Sequence, residues 1–138
     1  MEMTENEKKK EFLMSYQKEK RRVRRLEQQL EELRQNKMSP SVTNDGMPHG
    51  TDKKDLSDYA VKVDEIEQEL VAARYSRICA FQDVQKRIET MEDEREKDLL
   101  TYRYLRGLKW EEVAVRMDYS WQHTHKVHSR ALENLKMR

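Results

Sequence analysis

An all-α chain is predicted, a long antiparallel helical hairpin of coiled-coil character followed by a C-terminal helix-turn-helix, and three observations predict it. Apolar residues recur at alternating steps of four and three along both long halves of the chain. Both prolines and two of the three glycines, Pro40, Gly46, Pro48 and Gly50, fall in one short segment. From Leu108 onward the pattern breaks into two shorter amphipathic runs around a tight turn. With 40% charged and 36% hydrophobic residues in 138, the chain has apolar material for one modest core at most.

The first helix is assigned to residues 1–37. Phe12, Tyr16, Glu19, Val23, Leu26, Leu30, Leu33 and Lys37 form its seam, the stripe of a helix that packs lengthwise against another. Residues 38–52 are expected to be a flexible linker, because the stretch from Asn36 to Asp52 collects the helix breakers along with several Ser, Thr, Asn and Asp. The second long helix is assigned to residues 53–91, with Leu56, Tyr59, Val63, Ile66 and Leu70 on its seam. After a register shift, Val71, Tyr75, Ile78, Phe81, Val84 and Ile88 are expected to extend the apolar stripe. No Gly or Pro interrupts Lys53 to Arg106, so the helical run is expected to continue until Gly107. The first helix either folds back antiparallel on Leu56 to Phe81 or pairs with a second chain, and the pattern allows both.

Residues 92–138 form the C-terminal unit. Trp110 to Met117 reads as a short helix with Val113, Ala114 and Met117 on one face. Asp118 to Ser120 is a three-residue turn, in which Asp118 occupies the place that requires positive φ and Ser120 stands where an N-cap belongs. The following helix, expected over Ser120 to Met137, turns Thr124, Val127, Ala131, Leu132 and Leu135 inward and leaves Gln122, His123, His125, Lys126, Ser129 and Arg130 largely outward. A small residue, Ala114, sits where two steeply crossing helices approach. Short helix, tight turn and longer polar-faced helix is the arithmetic of a helix-turn-helix.

Charge and cysteine usage narrow the function class. The net charge is only +1, but residues 1–37 carry +3 and residues 109–138 carry +2, so attraction to nucleic acid must come from local patches at the two ends. One cysteine, Cys79, excludes an intramolecular disulfide, and neither a secretory signal nor an apolar run long enough to span a bilayer is present; a cytoplasmic protein is expected. Paired carboxylates, a nucleophile with its base and a phosphate-cradling glycine loop are all missing from the pattern, so neither an enzyme nor a cofactor is expected.

The stretch "LLTYRYLRGLKWEEVAVRMDYSWQHTHKVHSRALENLK" resembles region 4 of the sigma-70 family, with an E-E-V-A helix, a turn ending in Ser and a recognition helix closing on "RALENL". The chain as a whole is similar to small prophage-encoded proteins of a domain-of-unknown-function family, akin to the phage late-transcription regulators ArpU and RinA. The resemblance implies a DNA-binding transcription regulator of the bacterial host's cytoplasm, with double-stranded DNA and RNA polymerase as partners. It also implies the site. Trp121, Gln122, His125 and Lys126 match the base-reading positions, and Arg130 follows one turn later; Lys109, His123 and Ser129 join Arg130 as expected contacts to the DNA backbone. The residues themselves differ from those common in sigma factors, so the docking mode carries over and the target sequence does not. Self-association through the coiled coil is expected as well.

Other readings apply to several of these residues. His123, His125 and His128 have a spacing that could hold a metal, yet no second cysteine or carboxylate pair completes a tetrahedral site, and contact with base or phosphate is the better use. His128 can equally be a half-buried neighbour of Val127, His49 a loop residue and Cys79 a small core residue. The run Lys18 to Arg25 is a solvated helix face that could also reach DNA phosphates. A helical adaptor that binds polymerase or another regulator without reading DNA is the alternative to a DNA-binding protein.

Overall fold

The computed structural model describes residues 2–38 and 52–137, all of them helix or short connection. Helix α1 spans Glu5–Met38 and α2 spans Asp52–Glu89; α3 is Glu94–Leu100, which runs into a π-helical segment at Thr101–Leu105; α4 is Trp110–Met117 and α5 is Trp121–Asn134. Of the expected linker, Met38 ends α1 and Asp52 begins α2, and residues 39–51 with the Gly46–Gly50 loop lie outside the described residues.

The hairpin forms within one chain. Tyr16 meets Phe81 with ring centroids 5.0 Å apart, Glu27 lies 3.8 Å from Arg74 and Arg34 lies 2.6 Å from Glu67. Numbers rise on one helix as they fall on the other, so α1 and α2 are antiparallel. Helix α1 starts with a reciprocal capping box, in which the Thr4 hydroxyl accepts from the Glu7 amide and the Glu7 carboxylate accepts from the Thr4 amide. Along the far half of the hairpin, Val23, Leu26 and Leu30 pack on Leu70 and Ala73 in one apolar cluster.

Two expectations about α2 need correction. The helix ends at Glu89, within two residues of the assigned 91, and the helical run expected to reach Arg106 is broken there. No Gly or Pro is needed for this. The Thr90 hydroxyl donates to the Arg87 carbonyl at 2.6 Å, and the Asp93 carboxylate accepts from the amides of Arg95 and Glu96 at 2.9 and 3.1 Å, N-capping a new helix. Short polar side chains have replaced the helical hydrogen bonds that the chain gives up. The second correction concerns the register shift. Phe81, Val84 and Ile88 do continue the stripe begun by Leu70, but through Ala73; Val71, Tyr75 and Ile78 face solvent. On α1, Leu13 is fully buried although the four-three seam runs through its neighbour Phe12.

Leu13 belongs to the larger of the two cores. Val84, Ile88 and Met91 join it from the hairpin, and Leu99, Leu100, Tyr104, Leu105, Val113, Val127, Ala131, Leu132 and Leu135 from the C-terminal helices. The root of the hairpin is therefore the platform on which the C-terminal unit sits. The π-helical segment follows from the spacing of that core: Leu99 and Leu100 recur as Tyr104 and Leu105 five residues later, and a turn wider than the α-helical one keeps both pairs on the buried side. The Arg106 amide accordingly bonds to the Thr101 carbonyl, five residues back, at 2.9 Å.

Candidate nucleic-acid interface

The turn between α4 and α5 has the geometry that the sequence dictates. Asp118 adopts left-handed φ 56° and ψ 45°, alone among the described non-glycine residues in positive φ. Its amide and that of Tyr119 return to the carbonyls of Val115 and Ala114 at 3.2 and 2.9 Å, closing α4. Ser120, in extended conformation, accepts from the His123 amide at 3.1 Å and starts α5. At the other end of α4, the Glu112 carboxylate accepts from the Lys109 amide at 3.2 Å.

Both ends of α5 are fastened. Near its C-terminus the Lys9 ammonium of α1 donates to the carbonyl of Leu132 at 2.8 Å and of Glu133 at 3.3 Å, placing a cation on the negative end of the helix dipole. The amide of Asn134 donates to the buried Glu96 carboxylate of α3 at 2.6 and 3.2 Å. At the N-terminal end a ladder of rings holds the helix. The Arg103 guanidinium lies 4.6 Å from the Trp110 ring, Trp110 is 4.8 Å from His125, and His125 is 4.3 Å from Trp121. Helix α5 ends at Asn134, short of the expected Met137, as Leu135 turns extended to reach the core.

The Gly107 region completes the frame. Gly107 has φ 69°, a conformation that favours glycine, and a Cβ there would lie 3.0 Å from the Gln17 amide group, which would have to shift slightly. Gln17 donates to the carbonyls of Tyr104 and Leu105 at 3.1 and 3.4 Å, receiving the end of the π-helical segment on α1.

Gln122, Lys126, Ser129 and Arg130 lie exposed on one face of α5, at helical spacing. Trp121 is exposed over 52% of its surface at the start of that face. His123 is exposed and lies edge-on to Tyr119, with centroids 4.4 Å apart. Lys109 is exposed at the first turn of α4, and Thr124, Val127, Ala131, Leu132 and Leu135 are buried. His125 is half-buried between its two indole neighbours, and its Nε2 is covered without a hydrogen-bond partner.

The three histidines do three different things. His128 is buried, 2.7 Å through Nε2 from the Tyr104 hydroxyl. Burial, helped by the nearby charges of Lys10, His125 and Arg103, pushes its pKa down to about 4, while burial pushes the Tyr104 phenol up to about 12 against the opposing pull of Arg103. Both groups are neutral near pH 7, joined as an internal tie between the π-helical segment and α5. Among the described residues no group of three or more His, Cys, Asp or Glu side chains is placed to hold a metal ion. The Tyr104–His128 tie was not legible in the sequence; the spacing of 24 residues carries no pattern.

A buried hydrophobic platform, a left-handed turn residue, a capped second helix and an exposed polar face on that helix make a helix-turn-helix. Residues 93–137 match the family model of sigma-70, region 4. That region is a DNA-binding helix-turn-helix of sigma factors and regulators, not a catalytic domain, and the match spans about a third of the chain. No curated protein and no solved structure is significantly similar to the chain. Among the described residues no helix is long and apolar enough to cross a membrane.

Proposed function

We propose that this chain is a phage or prophage transcription regulator, acting in the cytoplasm of the bacterial host, that lays the first half of α5 in the major groove of promoter DNA and contacts RNA polymerase. The observation that carries the reading is the exposed face of Trp121, Gln122, Lys126, Ser129 and Arg130 on a helix held at both ends and lying inside the region 4 match. Rigid presentation matters, because base readout requires side chains placed to within hydrogen-bond tolerance.

Gln122 and Lys126 point to one side, where Gln suits adenine and Lys suits guanine. Trp121 offers an apolar edge beside them. His125 has only Nδ1 to offer a base, since Nε2 is covered by its neighbours. Lys109, His123, Ser129 and Arg130 take the phosphates, the role in which charge sets affinity without reading sequence. The chain associates with itself through the helical hairpin.

Selection on randomised DNA with the wild type and with Gln122→Ala, Lys126→Ala and His125→Ala tests this. Base preference is expected to move at a separate position in each variant, at a cost of about 1–3 kcal/mol on the cognate site. Lys126→Ala with Arg130→Ala is expected to flatten the dependence of affinity on salt, by about 0.9 per lost phosphate contact on a log–log plot. Identical preferences in all variants would remove α5 from the groove.

A further inference from the structure

Among the described residues α2 carries an uncovered apolar stripe, besides the exposed Leu56, which was expected on its seam, and Val61. Val71, Tyr75 and Ile78 are 66%, 69% and 51% exposed, and their steps of four and three are those of a coiled-coil seam. At 100° per residue, the stripe lies about a third of the way round α2 from the Leu70, Ala73, Val84 and Ile88 face that packs on α1, so no closer packing within the hairpin could cover it. Outward from it come exposed polar residues, Gln68 and Asp64 by steps of three and four on one side and Gln82 and Lys86 by two steps of four on the other.

We infer that this stripe is the contact between two copies of the chain, with the α2 helices antiparallel about a two-fold axis at Tyr75. Charge decides the occupant and its direction. A two-fold through Tyr75 sets Asp64 opposite Lys86, each eleven residues from the axis, and Gln68 opposite Gln82, each seven residues from it. Val71 then faces Cys79, and the apolar residues fill the centre. Parallel in-register pairing would instead stack Asp64 on Asp64 and Lys86 on Lys86, a like-charge arrangement that the same seam disfavours. Neither Asp64 nor Lys86 has an ion-pair partner among the described residues; the Asp64 carboxylate accepts from the Gln68 amide on its own helix at 2.9 Å through one oxygen and keeps the other for a cation across the interface.

The arrangement has a consequence that rests on the proposed DNA-binding reading. His125 shares a cleft with Lys10 and Met14 of α1, which lie level with Asp83 to Arg87 of α2 in the antiparallel hairpin. Measured along α2 at 1.5 Å per residue, these levels in the two copies are roughly 24–36 Å apart, a range that includes the one-turn spacing of operator half-sites.

Sedimentation equilibrium of the full chain tests the surface, and crosslinking tests the direction. The wild type is expected to be a dimer. Val71→Lys with Tyr75→Lys is expected to weaken the dimer about 30-fold or more with unchanged helicity by circular dichroism, because both residues are exposed in the single chain. For direction, Val71→Cys is oxidised in the presence of the native Cys79. Eight residues apart on one helix, the two thiols are about 12 Å from each other and cannot join within a chain. A covalent dimer carrying a 71–79 disulfide is expected. Monomeric wild type, a dimer that survives the double lysine substitution, or a 71–71 and 79–79 pattern would each overturn the inference. Selection on DNA separates it from the regulator reading: a monomer that reads DNA defeats only the dimer, and a 71–79 dimer that reads none defeats only the regulator.

Discussion

The far end of the hairpin and the C-terminal unit are both helical, and they are stabilised in different ways. At the far end, Val23, Leu26, Leu30, Leu70 and Ala73 form a thin seam whose partners among the described residues are the two helices themselves, edged by ion pairs such as Arg34 with Glu67. The C-terminal unit uses nearly every other device available to a small fold: two side-chain N-caps, a left-handed turn residue, a π-helical segment, a buried Tyr–His pair and a carboxylate–amide tie between α3 and α5. A rod tolerates small rotations of its helices, whereas the proposed reading head would not. The density of specific polar ties is higher in the unit that the proposal places on DNA.

Core truncation is expected to separate the two regions most strongly. Leu99→Ala removes a fully buried side chain from the larger core and is expected to cost about 3–5 kcal/mol, with loss of DNA affinity; Leu26→Ala at the far seam is expected to cost about 2 kcal/mol, because two helices can close around the gap, and to leave DNA affinity intact. Thermal unfolding paired with a binding titration reads both, and equal losses of affinity would contradict the division.

Acid is expected to act on the C-terminal unit through His128. Its folded pKa, about 4, lies below the ordinary 6.5, so the unfolded chain takes up a proton first and stability falls as the pH drops from about 6.5 toward 4. The loss reaches about 2–3 kcal/mol at the acid end of that window. His128→Gln is expected to remove this slope, measured as the difference in unfolding free energy between wild type and variant across that range.

Asp118→Val is expected to cost about 1–3 kcal/mol, since a β-branched residue resists the left-handed conformation, while Asp118→Gly is expected to be neutral or stabilising. If valine were tolerated as well as glycine, the turn would not need its positive φ. The smallest effect is expected from Ser120→Ala, about 1 kcal/mol for the lost cap, with base preference unchanged in a selection experiment.

Much of this molecule could be read from local pattern. Helix α4 runs from Trp110 to Met117 and α5 starts at Trp121, as expected, because capping and left-handed turns are properties of three or four adjacent residues. The inward set Thr124, Val127, Ala131, Leu132 and Leu135 followed from helical periodicity alone. The break in the helical run after α2 was missed for the opposite reason. The signal at Thr90 to Asp93 is a cap rather than a breaker, and such residues also occur in the middle of helices.

By itself the sequence determined the all-α class, the seam residues Val23, Leu26, Leu30 and Leu70, the turn at Asp118 to Ser120 and the polar outer face of α5, all of them consequences of which residues lie within a few positions of each other. Only the tertiary structure decided that α1 folds back on α2 within one chain, that Val71, Tyr75 and Ile78 stay uncovered, that His125 is wedged between two indoles, and that His128 is a buried partner of Tyr104. Those facts depend on which of two apolar stripes on one helix meets a partner and on which residues far apart in the chain come within 3 Å. The local periodicity that makes a helix amphipathic is indifferent to both.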